Sequence, residues 1–220
     1  VMGASKRIAE IYAQSLNYFL NGMKAGSSTC FITTRFGNVL GSNGSVIPRF
    51  RKQIQEGGPV TVTHPDISRY FMTIPEACQL VLEAGYIGKG SEIFLFDMGE
   101  SVRIYDMACK MIKLSGFEPE VDIPITFTGL RPGEKLTEEV LSNEENALPT
   151  HHQKITIARV ANTDFEGVAP QIDELIQFAQ QNGEGYGVVK RMKHLVPEYK
   201  SQNSAYQVLD SDDRPEPVSS

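Results

Sequence analysis

Two arginines in loop-like segments are the side chains whose type and setting point most directly to chemistry. Arg69 stands in SRYF and Arg131 in LRPGEK. A guanidinium presents a planar fork of donors that suits bidentate binding of phosphate or carboxylate oxygens. Either arginine alone is more often an ordinary surface residue. The hypothesis of a shared anion site therefore depends on the segments in which the two arginines stand.

The composition limits the class of partner. The 220-residue chain has a net charge of −6 at pH 7 and no stripe of clustered Lys and Arg, which argues against nucleic acid. No apolar run approaches the roughly 18 residues of a membrane span, so we predict no membrane contact by this chain and a cytoplasmic location. Cys30, Cys78 and Cys109 are far apart and lack metal-ligand spacing. They indicate buried thiols in a reducing compartment and no metal site.

Strand and helix patterns alternate along the chain. Apolar residues at three-to-four spacing predict a helix over residues 2–23, and a second helix is expected to end at the Gly57-Gly58 pair. Further strands are expected in STCFITTRFGNVLG, PVTVTH, SEIFLFDMG, VDIPITFTG and KITIARV. Further helices are expected in IPEACQLVLEAG, SVRIYDMACKMIKLSG, LTEEVL, TDFEGVAPQIDELIQFAQQ and GVVKRMKHLV. This alternation predicts an α/β fold.

One motif that a dinucleotide-binding domain should carry does not occur in the sequence. It is the glycine-rich turn GxGxxG between a strand and a helix, which cradles a pyrophosphate. The chain also opens on VMGASK, residues typical of a helix interior, with no capping residue before them. We therefore expect a fragment that begins within a domain and lacks the pyrophosphate site.

Four segments in order resemble the extended short-chain dehydrogenase/reductase family of nucleotide-sugar enzymes. They are MGASK, RFGNVLGSNGSVIPRF, THPDISRYFMTIPEA and GLRPGEKLTEEV. The match is closest to the polysaccharide-biosynthesis branch with its UDP-N-acetylglucosamine 4,6-dehydratases, and in particular to its long, membrane-anchored members. The resemblance covers about residues 1–160. The ordered set of motifs is more specific than any one of them.

The resemblance implies a domain organisation. Residues 1–44 would be the residual C-terminal part of a Rossmann-like domain, and residues 45–160 a small α/β region that binds the nucleotide sugar. Residues 161–200 would be C-terminal helices. The polar stretch 201–220 is predicted to be disordered. The N-terminal dinucleotide-binding half would be absent from this chain.

Met2 and Lys6 share a helix face because residues four apart are neighbours there. Their spacing is that of the YxxxK pair of short-chain dehydrogenases, with Met2 at the tyrosine position. The resemblance implies that Lys6 binds the nicotinamide ribose of NAD(P). A thioether cannot carry a proton, so proton transfer would fall to an aspartate and a lysine upstream of Val1. A solvated lysine and a core methionine are the alternatives that the residue types leave open.

Two further segments would lie beside the cofactor and the phosphates. The resemblance implies that Phe36 lies near the nicotinamide and that the Asn38 amide contacts a phosphate, although Asn38 also fits an Asx-type turn. Ser45 and Val46 open a helix whose free N–H groups favour an anion. The resemblance places this stretch at the nucleotide.

The remaining site residues would hold the UDP moiety. Arg69 and Arg131 are implied to bind the diphosphate, and Glu134 to accept hydrogen bonds from the ribose hydroxyls. Glu138 and Glu139, in contrast, are predicted to lie on a solvated helix face. The uracil pocket would be lined by Thr61, Val62 and Thr63.

The implied activity is that of the C-terminal part of an NAD-dependent UDP-N-acetylglucosamine 4,6-dehydratase, a lyase, which we expect to be inactive alone. A UDP-hexose 4-epimerase or reductase of the same family is the second hypothesis. A non-catalytic nucleotide-sugar-binding module is the third; the missing glycine motif favours it, whereas Lys6 counts against it. Exposed strand edges in a truncated sheet would favour a homo-oligomer.

Overall fold

The computed structural model describes residues 1–22, 29–138, 146–160, 163–183 and 185–210. Within these residues a short 3-10 helix covers Ala205–Asp210. The α-helices are α1 (Met2–Gly22), α2 (Val46–Gln55), α3 (Ile74–Ile87), α4 (Ile104–Leu114), α5 (Phe165–Asn182) and α6 (Tyr186–Leu195). Among the described residues, no helix is both long and apolar enough to cross a membrane.

The strands form one larger sheet and three small pairs. They are β1 (Thr33–Arg35), β2 (Asn38–Val39), β3 (Val60–Val62), β4 (Ser68–Arg69), β5 (Phe71–Met72), β6 (Ile93–Phe96), β7 (Val102–Arg103), β8 (Ile125–Phe127), β9 (Asn146–Pro149) and β10 (Ile155–Arg159). The larger sheet has the order β1, β6, β10, β9; β1 is parallel to β6, and β10 is antiparallel to both of its neighbours. The pairs are β2 with β5, β3 with β8 and β4 with β7.

The larger sheet is built on β6, whose four residues Ile93–Phe96 are all buried. A strand buried on both faces is apolar throughout rather than alternating, as IFLF is. Helix α3 covers one face with Ala77, Leu80 and Ala84. It begins at the cap residue Thr73, whose side chain accepts a hydrogen bond from the Glu76 N–H.

A second core lies between α2, α4 and the β3–β8 pair. Its most enclosed members include Phe50, Val60 and Ile112. Helix α2 ends in a Schellman motif, because the N–H groups of Gly57 and Gly58 bond the carbonyls of Ile54 and Gln53 at 3.1 and 2.8 Å. The φ of +86° at Gly57 suits glycine and turns the chain into β3. The predicted helix end at this glycine pair is confirmed.

A third core joins the two ends of the described chain. Helix α1 contributes Ala4 and Ile8, which pack with Val168 and Ile172 of α5 and Met192 of α6. The catalytic-lysine helix of the family resemblance is therefore held by the C-terminal helices.

The predicted α/β class is confirmed, and four local expectations differ from the structure. The single strand expected over residues 28–41 is split into β1 and β2, and β9 had no counterpart in the prediction. Residues 136–138 of the expected helix LTEEVL are not helical, because the Leu136 carbonyl accepts hydrogen bonds from the Ser68 N–H and the Arg69 guanidinium. The rest of LTEEVL lies outside the described residues. The stretch from 201 to 210, expected to be disordered, includes a 3-10 helix.

The cysteines also differ from the prediction of buried thiols. Cys30 and Cys78 are exposed, and Cys109 is half-buried. Cys78 stands on the outer face of α3, since the helix buries Ala77, Leu80 and Ala84 instead. Apolar neighbours in the sequence do not make a residue buried, because one side of the helix faces solvent.

Candidate functional site

The RPGE segment forms a tight turn that folds a carboxylate back over its own backbone. The Glu134 N–H donates to the Arg131 carbonyl at 2.9 Å, which closes the turn. Proline at the second position and Gly133 at the third, with a φ of +76°, are typical of a type II turn. The Arg131 N–H in turn donates to Glu134 Oε2 at 3.0 Å. Residues 131–134, the RPGE turn, therefore orient the Glu134 carboxylate.

Two side chains from the β3–β4 region meet this carboxylate. Thr63 Oγ1 donates to Glu134 Oε1 at 3.2 Å, and Arg69 Nη2 lies 3.5 Å from the same oxygen. The structure thus brings together four of the residues predicted to bind ligand, namely Thr63, Arg69, Arg131 and Glu134. They are up to 71 positions apart in sequence.

The Arg69 guanidinium is held by more than Glu134. Its Nη1 donates to the carbonyls of Ser68 and Leu136 at 2.8 and 3.1 Å. Its Nε pairs with Glu138 Oε1 at 3.2 Å. The Arg69 side chain is only 11% exposed. Glu138 therefore does not lie on a solvated helix face as predicted, and Glu139 lies outside the described residues.

The Arg131 guanidinium has a different setting. Arg131 is exposed, and its guanidinium has no ion pair within the described part of the chain. A solvent-exposed guanidinium can bind an anionic group of a ligand without giving up an internal ion pair.

The residues predicted to line a uracil pocket divide between surface and core. Thr61 Oγ1 accepts hydrogen bonds from Arg49 and Gln53, each at 2.8 Å, and Gln53 also accepts from the Thr61 N–H. Val62 is 1% exposed and belongs to the core under α2 and α4. This position disagrees with the prediction that the Val62 side chain contacts a ligand. The Val62 side chain lies in the core, whereas those of its strand neighbours Thr61 and Thr63 point to the opposite face.

The start of α2 carries an unsatisfied hydroxyl. Ser45 occupies the N-cap position, yet its side chain makes no capping bond. Its Oγ is buried and has no hydrogen-bond partner among the described residues. Val46, the first helical residue, packs against the core instead. A hydroxyl and free N–H groups at a helix N-terminus fit an anionic or hydroxyl-bearing ligand group.

Phe36 and Asn38 follow β1 at the edge of the larger sheet. The Phe36 ring stacks on Phe96 with the centroids 5.5 Å apart and the planes within 6°. Its residue is 37% exposed. Asn38 is held by its backbone, whose N–H donates to the Tyr70 carbonyl at 3.0 Å. The site region thus offers one partly exposed aromatic ring.

Lys6 and Met2 lie on the exposed side of α1. Met2 is 74% exposed, so it is not a core residue in this structure. One turn after Lys6, Glu10 forms a bidentate pair with Arg35, through Oε2 to Nε at 2.7 Å and Oε1 to Nη2 at 2.5 Å. Because Arg35 precedes Phe36, this pair fixes the lysine helix to the strand end that carries the aromatic ring.

Sequence reasoning missed the Glu10–Arg35 pair and Glu138. The former has no local sequence signal, because Arg35 is 25 positions from Glu10. Glu138 carried no such signal, since its partner is 69 positions away in sequence. No group of three or more His, Cys, Asp or Glu side chains in the described residues is arranged to hold a metal ion.

The chain belongs to the family described as polysaccharide biosynthesis protein, whose model matches residues 1–160. Over 160 residues it is 55% identical to the capsular polysaccharide biosynthesis protein CapD of Staphylococcus aureus, a match that covers 73% of this chain and 26% of that protein. It is also 35% identical over 147 residues to the UDP-glucose 4-epimerase of Rickettsia canadensis (strain McKiel), covering 67% of this chain and 40% of that protein. The chain therefore spans about a quarter to two fifths of these relatives.

A solved structure shares the fold. The X-ray structure of Pen from Bacillus thuringiensis matches with a TM-score of 0.62 and 33% sequence identity, over 78% of this chain and 57% of that one. The predicted resemblance to the polysaccharide-biosynthesis branch is confirmed by these matches.

Proposed function

We propose that this chain is the nucleotide-sugar-binding part of an NAD-dependent UDP-N-acetylglucosamine 4,6-dehydratase that serves surface polysaccharide biosynthesis. The observation that carries the proposal is the group of Thr63, Arg69 and Arg131 around Glu134 on the RPGE turn. The similarity to a capsular polysaccharide biosynthesis protein supports the proposed role in surface polysaccharide biosynthesis.

The group around Glu134 suits a uridine diphosphate. A carboxylate oriented by backbone and hydroxyl donors can accept hydrogen bonds from two vicinal ribose hydroxyls. Arg131, exposed at the first position of the turn, binds the diphosphate as a bidentate fork.

The chain supplies part of a cofactor site. The exposed Lys6 ammonium fits a ribose hydroxyl, and the partly exposed Phe36 ring fits a nicotinamide face. When bound, NAD(P) would supply reversible hydride transfer at C4 of the sugar. Lys6 holds a positive charge beside that centre. The sequence contains no GxGxxG motif for a pyrophosphate cradle, so the proposal places catalysis in a longer protein that contains this chain.

A test of the reaction uses the longer protein that contains this chain, incubated with UDP-N-acetylglucosamine. The proposal predicts a product lighter than the substrate by one water molecule, detected by mass spectrometry, and a Lys6→Ala variant that forms at least tenfold less of it, in line with the typical contribution of a positioned acid–base or orienting group. A product of unchanged mass with an inverted C4 centre would contradict a dehydratase.

A UDP-sugar 4-epimerase is the second candidate. The Rickettsia relative named UDP-glucose 4-epimerase favours it. The two reactions share the oxidation at C4 and differ in what happens at C5 and C6. Met2 at the tyrosine position favours the dehydratase. A 4-epimerase of the YxxxK type uses the tyrosine to take the proton from the C4 hydroxyl, and a methionine cannot do so.

Glu138 competes with an anionic ligand for Arg69 under this proposal. The Arg69 guanidinium already pairs with Glu138 at 3.2 Å, so a diphosphate reaches it only by replacing that carboxylate. We expect Glu138→Gln to raise the affinity of the chain for UDP several-fold, as calorimetric titration would measure. The solvent-exposed Glu56→Gln serves as the matched control. An unchanged or weakened affinity in Glu138→Gln would show that Arg69 does not bind the diphosphate.

A further inference from the structure

The segment from residue 199 to residue 210, here called the C-terminal strap, contacts the RPGE turn. The Gln202 carbonyl accepts a hydrogen bond from the Gly133 N–H at 2.7 Å. The strap lies beyond residue 160, where the match to the family model ends. A part of the chain outside the family match thus touches the turn that carries Glu134.

This contact gives a hydrogen-bond partner to the Gly133 N–H, which the turn itself leaves unbonded. The turn uses the Arg131 carbonyl and the Glu134 N–H for its closing bond. The N–H of Gly133, at the third position, has no partner within a turn of this type and must find one outside it. The strap supplies that partner, which couples the orientation of the Gly133 peptide to the position of Gln202.

Asp210 fixes the strap next to Gln202. Its two carboxylate oxygens accept hydrogen bonds from the Ser201 N–H at 3.1 and 3.2 Å. The same carboxylate pairs with the Lys193 ammonium of α6, which also donates to the Tyr199 carbonyl at 3.1 Å. Partial burial acts to raise the pKa of Asp210, but the bonds from Lys193 and Ser201 outweigh it and leave that pKa below its ordinary value.

The strap has a second attachment to α6. The Tyr186 hydroxyl donates to the Ala205 carbonyl at 3.1 Å, and the rings of Tyr186 and Tyr206 meet edge to face with centroids 5.2 Å apart. The C-terminal strap is therefore tied to α6 at Asp210 and at Ala205–Tyr206, and α6 packs on the helix that carries Lys6.

We propose that the C-terminal strap sets the conformation of the RPGE turn and thereby the orientation of the Glu134 carboxylate, with Asp210 as the positioning residue. The consequence for ligand affinity rests on the proposed function. Asp210 acts through Ser201 and Gln202 on Gly133 and does not itself meet the ligand.

The test compares Asp210→Ala with Ser201→Ala in the 220-residue chain. Ser201→Ala is a matched control, because the buried Ser201 hydroxyl has no partner in the described residues and the substitution keeps the N–H that bonds Asp210. Hydrogen exchange of the Gly133 amide, measured without ligand, reports the strap contact directly. Exchange of the Ile93–Phe96 amides reports the larger sheet, and calorimetry with UDP reports the site.

We expect the Gly133 amide of Asp210→Ala to exchange about tenfold faster, as for the loss of one hydrogen bond, while the Ile93–Phe96 amides keep their rates. UDP affinity should fall several-fold. Asp210→Asn, which retains an acceptor for the Ser201 N–H, should restore part of both losses and also serves if the alanine variant does not fold. Ser201→Ala should match the unmutated chain in every readout.

Two results would overturn the proposal. One is an unchanged Gly133 rate in Asp210→Ala, or a rise that the Ile93–Phe96 amides share equally. The other is a faster Gly133 rate with unchanged UDP affinity in a chain that binds UDP. If the unmutated chain binds no UDP, the proposed function fails for this chain, and the Gly133 rates alone decide whether the strap sets the turn.

Discussion

We expect the Glu134→Ala chain to bind uridine diphosphate at least about tenfold more weakly than the unmutated chain. Hydrogen bonds to a charged group contribute roughly 1.5–3 kcal/mol each, and 1.4 kcal/mol corresponds to a factor of ten in affinity. The substitution also removes the acceptor for Thr63 and Arg69 and the bond to the Arg131 N–H. Calorimetric titration with UDP measures the change.

The control for Glu134 is Glu56→Ala, an exposed carboxylate whose only described ion pair is a 3.8 Å contact with Lys52. It should leave UDP affinity unchanged. Near-ultraviolet circular dichroism of both variants tests whether tertiary packing is intact. If a folded Glu134→Ala chain binds UDP as tightly as the unmutated chain, the Glu134 carboxylate does not hold the ribose.

The second large effect is on stability. Glu10 is 7% exposed at its side chain and accepts hydrogen bonds from both Arg7 and Arg35. We expect Glu10→Ala to lower the free energy of unfolding by roughly 1.5–3 kcal/mol, because it removes a mostly buried carboxylate that accepts charged hydrogen bonds from Arg7 and Arg35. Urea unfolding followed by circular dichroism measures this loss.

Glu174→Ala is the matched control for Glu10. Glu174 pairs with Arg191 at 3.3 Å, but its side chain is 67% exposed. An exposed pair of this kind contributes less than about 1 kcal/mol. Equal losses in the two variants would mean that the Glu10–Arg35 pair does not hold α1 to β1. The same pair joins the Lys6 helix to the strand before Phe36, so Glu10→Ala should also reduce activity in the longer protein.

The helices could be predicted well from the sequence because their signals are local. The apolar spacing over residues 2–23 corresponds to α1, Met2–Gly22. The Gly57-Gly58 pair marks the end of α2 through backbone bonds that only a few neighbouring residues determine. Pro75 falls in the first turn of α3, where proline is favoured.

The strands were predicted less well, since their existence depends on partners far away in sequence. β9 contains a proline and has little strand character of its own, and it is defined by pairing with β10. The expected strand over residues 28–41 divides because β1 pairs with β6 whereas β2 pairs with β5. Pairing choices of this kind do not follow from periodicity.

The clustering of the candidate site residues follows the prediction in part, whereas their roles toward a ligand stay a prediction. Motif order identified Arg69, Arg131 and Glu134, and the structure brings them together. The burial of Val62 and the Arg69–Glu138 pair could not be foreseen, because each depends on tertiary packing. Residues 201–210 of the C-terminal strap differ from the predicted disordered tail. Their polar composition favours disorder, but the ion pair of Asp210 with Lys193 holds them against α6.

The measurement that tests the central claim most directly is calorimetric titration of this chain with UDP-N-acetylglucosamine, UDP and NAD. The account predicts that both uridine ligands bind, that NAD does not, and that Arg131→Ala weakens both uridine affinities. If the folded chain binds neither uridine ligand, or if Arg131→Ala binds them as tightly as the unmutated chain, the assignment of this chain as the nucleotide-sugar-binding part is contradicted.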